Sequence, residues 1–158
     1  IKGPENSKSA AERHDAFRDA LEQSAIHLEA NHIAFGANTF ESGVDCAVQL
    51  LTSENPPTAI FASNDEMAIG VMVTAQKMGI KIPGELTIIG FDDTPQASKV
   101  WPALTTVNLQ VKEMGKLATQ KLLALCSNNI GLAKTIKSEL IPMVVRRDTT
   151  APPPILGR

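Results

Sequence analysis

Four short polar clusters in this chain each follow directly on an apolar run. Asn6, Ser7, Ser9 and, a turn later, Arg13 come after "IKGP"; Asn38 and Thr39 come after "HIAFG". Ser63, Asn64 and Asp65 come after "TAIFA", and Asp92 and Asp93 after "LTIIGF". A carboxylate accepts from two hydroxyls, an amide both donates and accepts, and a guanidinium forks across vicinal oxygens. That set suits a neutral polyol. A phosphate would want a glycine-rich loop, and the sequence has neither a Walker loop nor a G-x-G-x-x-G.

Asn, Asp and Ser are also the residues that cap helix amino termini, so each of these positions has a local use, and Asn64 could serve the helix behind it. The doublet Asp92–Asp93 resists that reading. No strong helix follows in "DDTPQAS", and adjacent carboxylates repel unless something uses them. As a general acid and base they are poorly placed, because neighbours in sequence can diverge in direction. His14, His27 and His32 lie in or before helical and extended stretches, none just after a strand end. There is no G-x-S-x-G elbow. An enzyme is not expected, and no catalytic residue, cofactor or metal is assigned.

The net charge of −2 and pI of about 5.9 give no means of neutralising a phosphate backbone. Lys and Arg are scattered, with Arg146–Arg147 the one adjacent pair. Cys46 and Cys126 stand alone, without metal-ligand spacing, which points to a reducing compartment, the cytoplasm. No apolar stretch approaches the roughly 18 residues of a membrane helix, so no membrane partner is expected. Ile1 is not an initiator, and "IKGP" reads as a strand tail, so a fragment of a longer chain is expected.

The elements that must position these residues alternate. "SKSAAERHDAFRDALEQ" is a helix that Ser7 or Ser9 could cap, with Glu12 three residues after Ser9. "HIAFGA" leads to a helix in "ESGVDCAVQLLTS". "TAIFASN" leads to a helix over about 65–78, stopped by Gly79. A strand is predicted over about 86–91, "ALTTVNL" is extended, and "QVKEMGKLATQKLLALC" is helical. Its stripe is Val111, Met114, Ala118, Leu122 and Leu125. "SELIPMVVRR" is a last strand, and "DTTAPPPILGR" a frayed tail. Strand and helix alternating at this pace predict an α/β fold, a parallel sheet flanked by helices.

At "PPTAIFASNDEMAIG", "GIKIPGELTIIGFDD" and "WPALTTVNLQVKEMGKLA" the sequence resembles the LacI/GalR family of bacterial transcriptional repressors, from Ile1 to about Arg147. "GPENSKSAAERHDAF" and "FESG" fit the same pattern. The resemblance implies a periplasmic-binding-protein-like core of two lobes with a small-molecule effector, expected to be a sugar, between them. Residues 1–103 and 135–147 would form most of the carboxyl-terminal lobe, 104–130 would belong to the amino-terminal lobe, and 148–158 would be a flexible tail. The DNA-binding head that contacts the operator would be absent.

Carried over by position, the implied effector ligands are Arg13, Asn64 and the carboxylate Asp92, with Ser7 and Ser9 in a specificity-setting stretch. Asn38, also an implied ligand residue, stands where family members often place an aromatic, which removes ring stacking there as an expectation. The apolar helix at 65–78 is read as buried on both sides, one against the sheet and one against a second subunit. The implied homodimer surface is Ile69, Met72 and Val73 with Ala97 and Trp101. The other function class carrying this fold is a periplasmic sugar-binding protein for transport or chemoreception.

Overall fold

A computed structural model describes residues 1–127, 134 and 139–152. Three of the four described α-helices start at a side-chain cap. Helix α1 (Lys8–Gln23) starts at Ser7, whose hydroxyl accepts from Ala10 N at 3.3 Å. The cap is therefore Ser7 and not Ser9. Helix α2 (Phe40–Leu51) carries a reciprocal capping box between Thr39 and Ser42. Strand β1 (Ala59–Phe61) runs into α3 (Asp65–Lys77), which Asn64 caps, and two acidic residues in its first turn oppose the positive end of the helix dipole. Gly79, at φ 77°, ends it. Strands β2 (Thr87–Ile89) and β3 (Thr106–Asn108), helix α4 (Val111–Cys126) and strand β4 (Met143–Val145) complete the order.

The sheet is assembled from short parallel pieces. Lys2 bridges Phe35, Ile1 exchanges backbone bonds with Phe61 and Ser63, β1 pairs in parallel with β2, and Ile89 bridges Thr105. The spatial order is thus second, first, third, fourth, fifth. Strand β4 returns antiparallel to β3.

Alternate residues of the strands divide the two faces. Ile60, Ala62 and Ile88 pack with α2 and α3, whereas Phe61 lies against Phe17 of α1 with ring centroids 5.2 Å apart. Helices α2 and α3 meet almost backbone to backbone. A Cβ on Gly43 would strike the Met67 backbone, and one on Gly70 would strike Phe40 O and the Val44 amide.

Helix α2 covers part of the second apolar side of α3 within the chain, and of the residues expected at the dimer surface Met72 and Ala97 are buried here. Ile69 and Val73 stay partly accessible, and Trp101 is 84 % exposed.

Two boundaries also move. Leu104, Thr105 and Thr106 are buried in this unit, inside the segment assigned to the other lobe from residue 104. Nor is residue 148 the start of a loose tail. Thr149 is wholly buried, accepts from Thr105 N at its hydroxyl (2.9 Å) and donates to Ile88 O (2.7 Å), while Asp148 N donates to Ala103 O. Threonine can fill a sheet seam with its hydroxyl, which the proline-rich sequence around it conceals. Residues 128–130, 135–138 and 153–158 of the expected segments lie outside the described residues.

The stripe of α4, expected either to fold back on the chain's own sheet or to insert into a neighbouring chain, does not fold back: Val111, Met114, Ala118, Leu122 and Leu125 are all exposed. The side turned inward carries Leu117 and Ala124.

The α2–α3 contact makes a direct prediction. Gly70→Ala should lower stability by about 2–3 kcal/mol in urea denaturation, because backbone atoms cannot yield as a side chain would. A loss below about 0.5 kcal/mol would contradict the packing described.

Candidate functional site

In an open parallel sheet, ligands lie beyond the carboxyl ends of the strands where the strand order reverses. Here the reversal falls between the segment at Ile1–Gly3 and β1, flanked by the loops that carry Ser7 and Asn64. Helix α1 begins at this edge, so Arg13 stands one turn above it. Its guanidinium donates to Ser63 O at 2.5 Å, approaches Asp92 at 3.5 Å, and lies 3.9 Å above the ring of Phe91. Cation, carboxylate and aromatic face thus converge from α1 and the end of β2. The Arg13 and Asp92 side chains remain 22 % and 36 % exposed, enough to meet a ligand.

The other expected residues are placed at the same edge in different states. Ser7 is committed to its cap and lies 3.2 Å from the Ser9 hydroxyl. Asn64 is engaged at both ends of its amide: Oδ1 accepts from Met67 N at 3.0 Å and Nδ2 donates to Asn38 O at 2.9 Å. It acts as a cap and a tie between junctions. Asn38 takes φ 63°, a left-handed conformation that asparagine tolerates better than most residues. Ser63 Oγ is buried with no hydrogen-bond partner among the described residues.

The doublet divides. Burial pushes the Asp92 carboxyl above its ordinary range; Arg13 opposes that shift and Asp65 adds to it. Asp93 goes the other way. Burial alone would raise it, but hydrogen bonds from Arg147 Nη2 to Oδ1 (2.5 Å) and from Asn108 Nδ2 to Oδ2 (2.6 Å) hold it below the usual carboxylate range.

Three residues of the site are not among those that sequence reasoning assigns to it. Asp65, fully buried, accepts from Thr94 N at 2.7 Å, Thr94 Oγ1 at 3.0 Å and Thr106 Oγ1 at 2.5 Å. Its signal is a carboxylate opening a helix that is apolar almost all round. Arg147 belongs to the one adjacent basic pair. Phe91 lies just beyond β2, immediately before the doublet, with Arg13 over its ring. Beside Arg13 an apolar groove of about 800 Å³ runs between α1 and the strands, walled by Phe61, Phe91, Val107 and Val144. No group of His, Cys, Asp and Glu among the described residues could hold a metal ion, and none of the helices there is long and apolar enough to cross a membrane.

Comparison with known proteins bears on the fold and the family. Residues 1–150 match the family model described as "Periplasmic binding protein-like domain". The chain is 38 % identical over 153 residues to the probable HTH-type transcriptional repressor ExuR of Bacillus subtilis, covering 95 % of this chain and 46 % of that protein. Its fold is similar to that of a LacI-family sugar-binding transcriptional regulator from Escherichia coli solved with phosphate. That likeness has a TM-score of 0.81 at 31 % identity and covers 96 % of this chain and 54 % of the other. A dimeric Lac repressor carrying a C-terminal deletion and a point substitution gives a TM-score of 0.83 at 30 % identity, covering 94 % and 53 %. The chain spans about half the length of the relatives it matches.

The depressed Asp93 carboxyl fixes a pH dependence. A group whose folded pKa lies below its unfolded value of roughly 3.9 stabilises above that value and ceases to as pH falls through the folded pKa. The stability difference between the wild type and Asp93→Ala should be full at about pH 6–7 and shrink as the pH drops below about 4. Urea midpoints across that range check it; a difference that grows toward acid would reverse the assignment.

Proposed function

The chain belongs to the periplasmic binding protein-like domain family, in the form shared by LacI-family repressors, and on that basis we propose that it is the effector-binding part of a transcriptional regulator. The observation that carries the reading is the Arg13–Asp92 pair over Phe91 at the sheet's switch point. Guanidinium and carboxylate can divide the vicinal hydroxyls of a sugar, and an aromatic face beside them suits the sugar's C–H surface. Ser9 lies one helical turn from Arg13 and can take a further hydroxyl. Ser7 and Asn64 hold the loops that present these groups, and Asn38 sits between them. The effector is thus a small polyol, and binding would shift the balance between two arrangements of the whole regulator.

In this reading the described unit is the carboxyl-terminal lobe, and the outward stripe of α4 is the side that meets the other lobe. Operator contact belongs to a segment outside these 158 residues, in a protein acting in the cytoplasm. The regulator pairs as a homodimer through Ile69, Val73 and Trp101, which the chain leaves accessible; Met72 and Ala97 support that surface from beneath. The dimeric Lac repressor among the structural relatives favours such pairing.

Two measurements test the proposal. In the intact regulator, Asp92→Ala and Arg13→Ala should each weaken the effector by about 1.5–3 kcal/mol, roughly tenfold to more than a hundredfold in Kd, with the fold retained. Wild-type affinity of Asp92→Ala in a calorimetric titration would remove the site. Val73→Glu should leave monomers in light scattering at micromolar concentration, where the unchanged protein is dimeric. If the unchanged protein is already monomeric there, α3 is an internal helix only.

A further inference from the structure

Asp92 and Asp93 are consecutive non-glycine residues at φ 114° and 53°, both in the region that L side chains avoid. Strain of that kind persists only where surrounding contacts over-determine the backbone. The contacts that do so converge on Asp93. Its carboxylate is held on one oxygen by Arg147 and on the other by Asn108, and its amide donates to Thr106 Oγ1 at 3.3 Å. Arg147 is itself fixed, since Nη1 donates to Leu104 O at 2.8 Å and its amide donates to Thr105 Oγ1 at 2.9 Å. The Asp92 amide donates to Val107 O at 2.9 Å. Immediately beyond the doublet, Asp65 grips Thr94 through its amide and hydroxyl.

We propose that Asp93, locked by Arg147 and Asn108, is a positioning residue that forces Asp92 into its strained backbone conformation and so aims the Asp92 carboxylate at Arg13. The proposal takes its functional meaning from the reading of Asp92 as an effector ligand, but the positioning itself is a property of the unliganded chain. Two further features support it. The Asp93 side chain is only 15 % exposed and turned toward β3 and the end of β4, whereas Asp92 is 36 % exposed and turned toward α1. One residue of the doublet is thus an anchor and its neighbour the presented group. The anchor also ties the binding carboxylate to the strand entering and the strand returning from the α4 segment. Movement of that segment would therefore reach Asp92 through Arg147 and Asn108.

The test needs no ligand. The charged groups acting on Asp92 are Arg13 from α1 and Asp65 from α3, with Asp93 and its partner Arg147 behind it. In the unchanged chain, carbon NMR should follow the Asp92 carboxyl titrating above the ordinary carboxylate range. Asp93→Ala should release the loop and bring the Asp92 titration down into that range as the group enters water. Asp93→Asn keeps one acceptor oxygen for Arg147 but sets an NH2 against the Asn108 donor, so it should keep part of the upward displacement that Asp93→Ala loses. If Asp93→Ala is not folded by its amide spectrum, Asn108→Ala removes one leg of the anchor and should give a smaller shift in the same direction. An Asp92 titration that is unmoved in a folded Asp93→Ala or Asn108→Ala chain overturns the proposal. Because this readout uses no effector, failure of Asp92→Ala to weaken an effector would strike the ligand assignment and leave the positioning result standing.

Discussion

The carboxylate of Asp65 lies wholly out of water at the start of α3 and accepts three hydrogen bonds. An isolated buried charge costs far more than any single contact returns, so it can exist only where its oxygens are met by donors. Thr94 supplies two donors and Thr106 the third, and these lie on the loop after the doublet and on β3. One carboxylate thus joins the amino end of α3, the binding loop and the strand that leaves this unit for α4. The site's shape follows from it. That junction fixes the far end of the loop at Thr94, as the Asp93 contacts fix its near end, and together they set the height at which Asp92 approaches Arg13.

The parallel α/β architecture was legible because its signals are local. Caps, a stop glycine and short apolar runs recur at the right pace; Asn64 and Gly79 act where the sequence places them, and of the two serines offered for α1 the cap is Ser7. The convergence of the four junctions on one edge was legible too, since a parallel sheet sends every strand-to-helix loop to the same side. What was not legible depends on partners distant in sequence. Nothing near Arg147 announces a carboxylate 54 residues away, and nothing in "DTT" announces that Thr149 fills the seam between Ile88 and Thr105.

Helix α3 shows how the same pattern supports two structures. An apolar surface on both sides requires two covers, but hydrophobicity does not say whose. The glycines decide it. Gly43 on α2 and Gly70 on α3 remove the side chains that would hold the helices apart, so α2 reaches α3 at Met67, and Val71 and Met72 are buried within one chain. What remains for a second subunit is the edge at Ile69 and Val73 with the adjacent Trp101. That is a smaller surface than the sequence pattern implies, and it includes an exposed indole. Large indoles concentrate the energy of an interface in few contacts, so a narrow patch of this kind can still serve.

The doublet shows why neighbouring carboxylates of one sign can coexist at a binding edge. Two adjacent carboxylates facing the same space would each raise the other's pKa. Here the backbone turns them to opposite sides. Asp93 is neutralised by a guanidinium and an amide and stays ionised well into acid; Asp92 is partly desolvated and opposed by a guanidinium more distant than a direct bond. The carboxylate that is best satisfied is therefore committed to structure. The one left incompletely satisfied is the one facing open space beside Arg13 and Phe91, and a hydroxyl donor arriving there would complete it. Incomplete satisfaction at the presented group and complete satisfaction at its anchor are what the proposed polyol site requires. A shared proton between the two aspartates, the arrangement an acid–base pair would need, is excluded by their opposed directions.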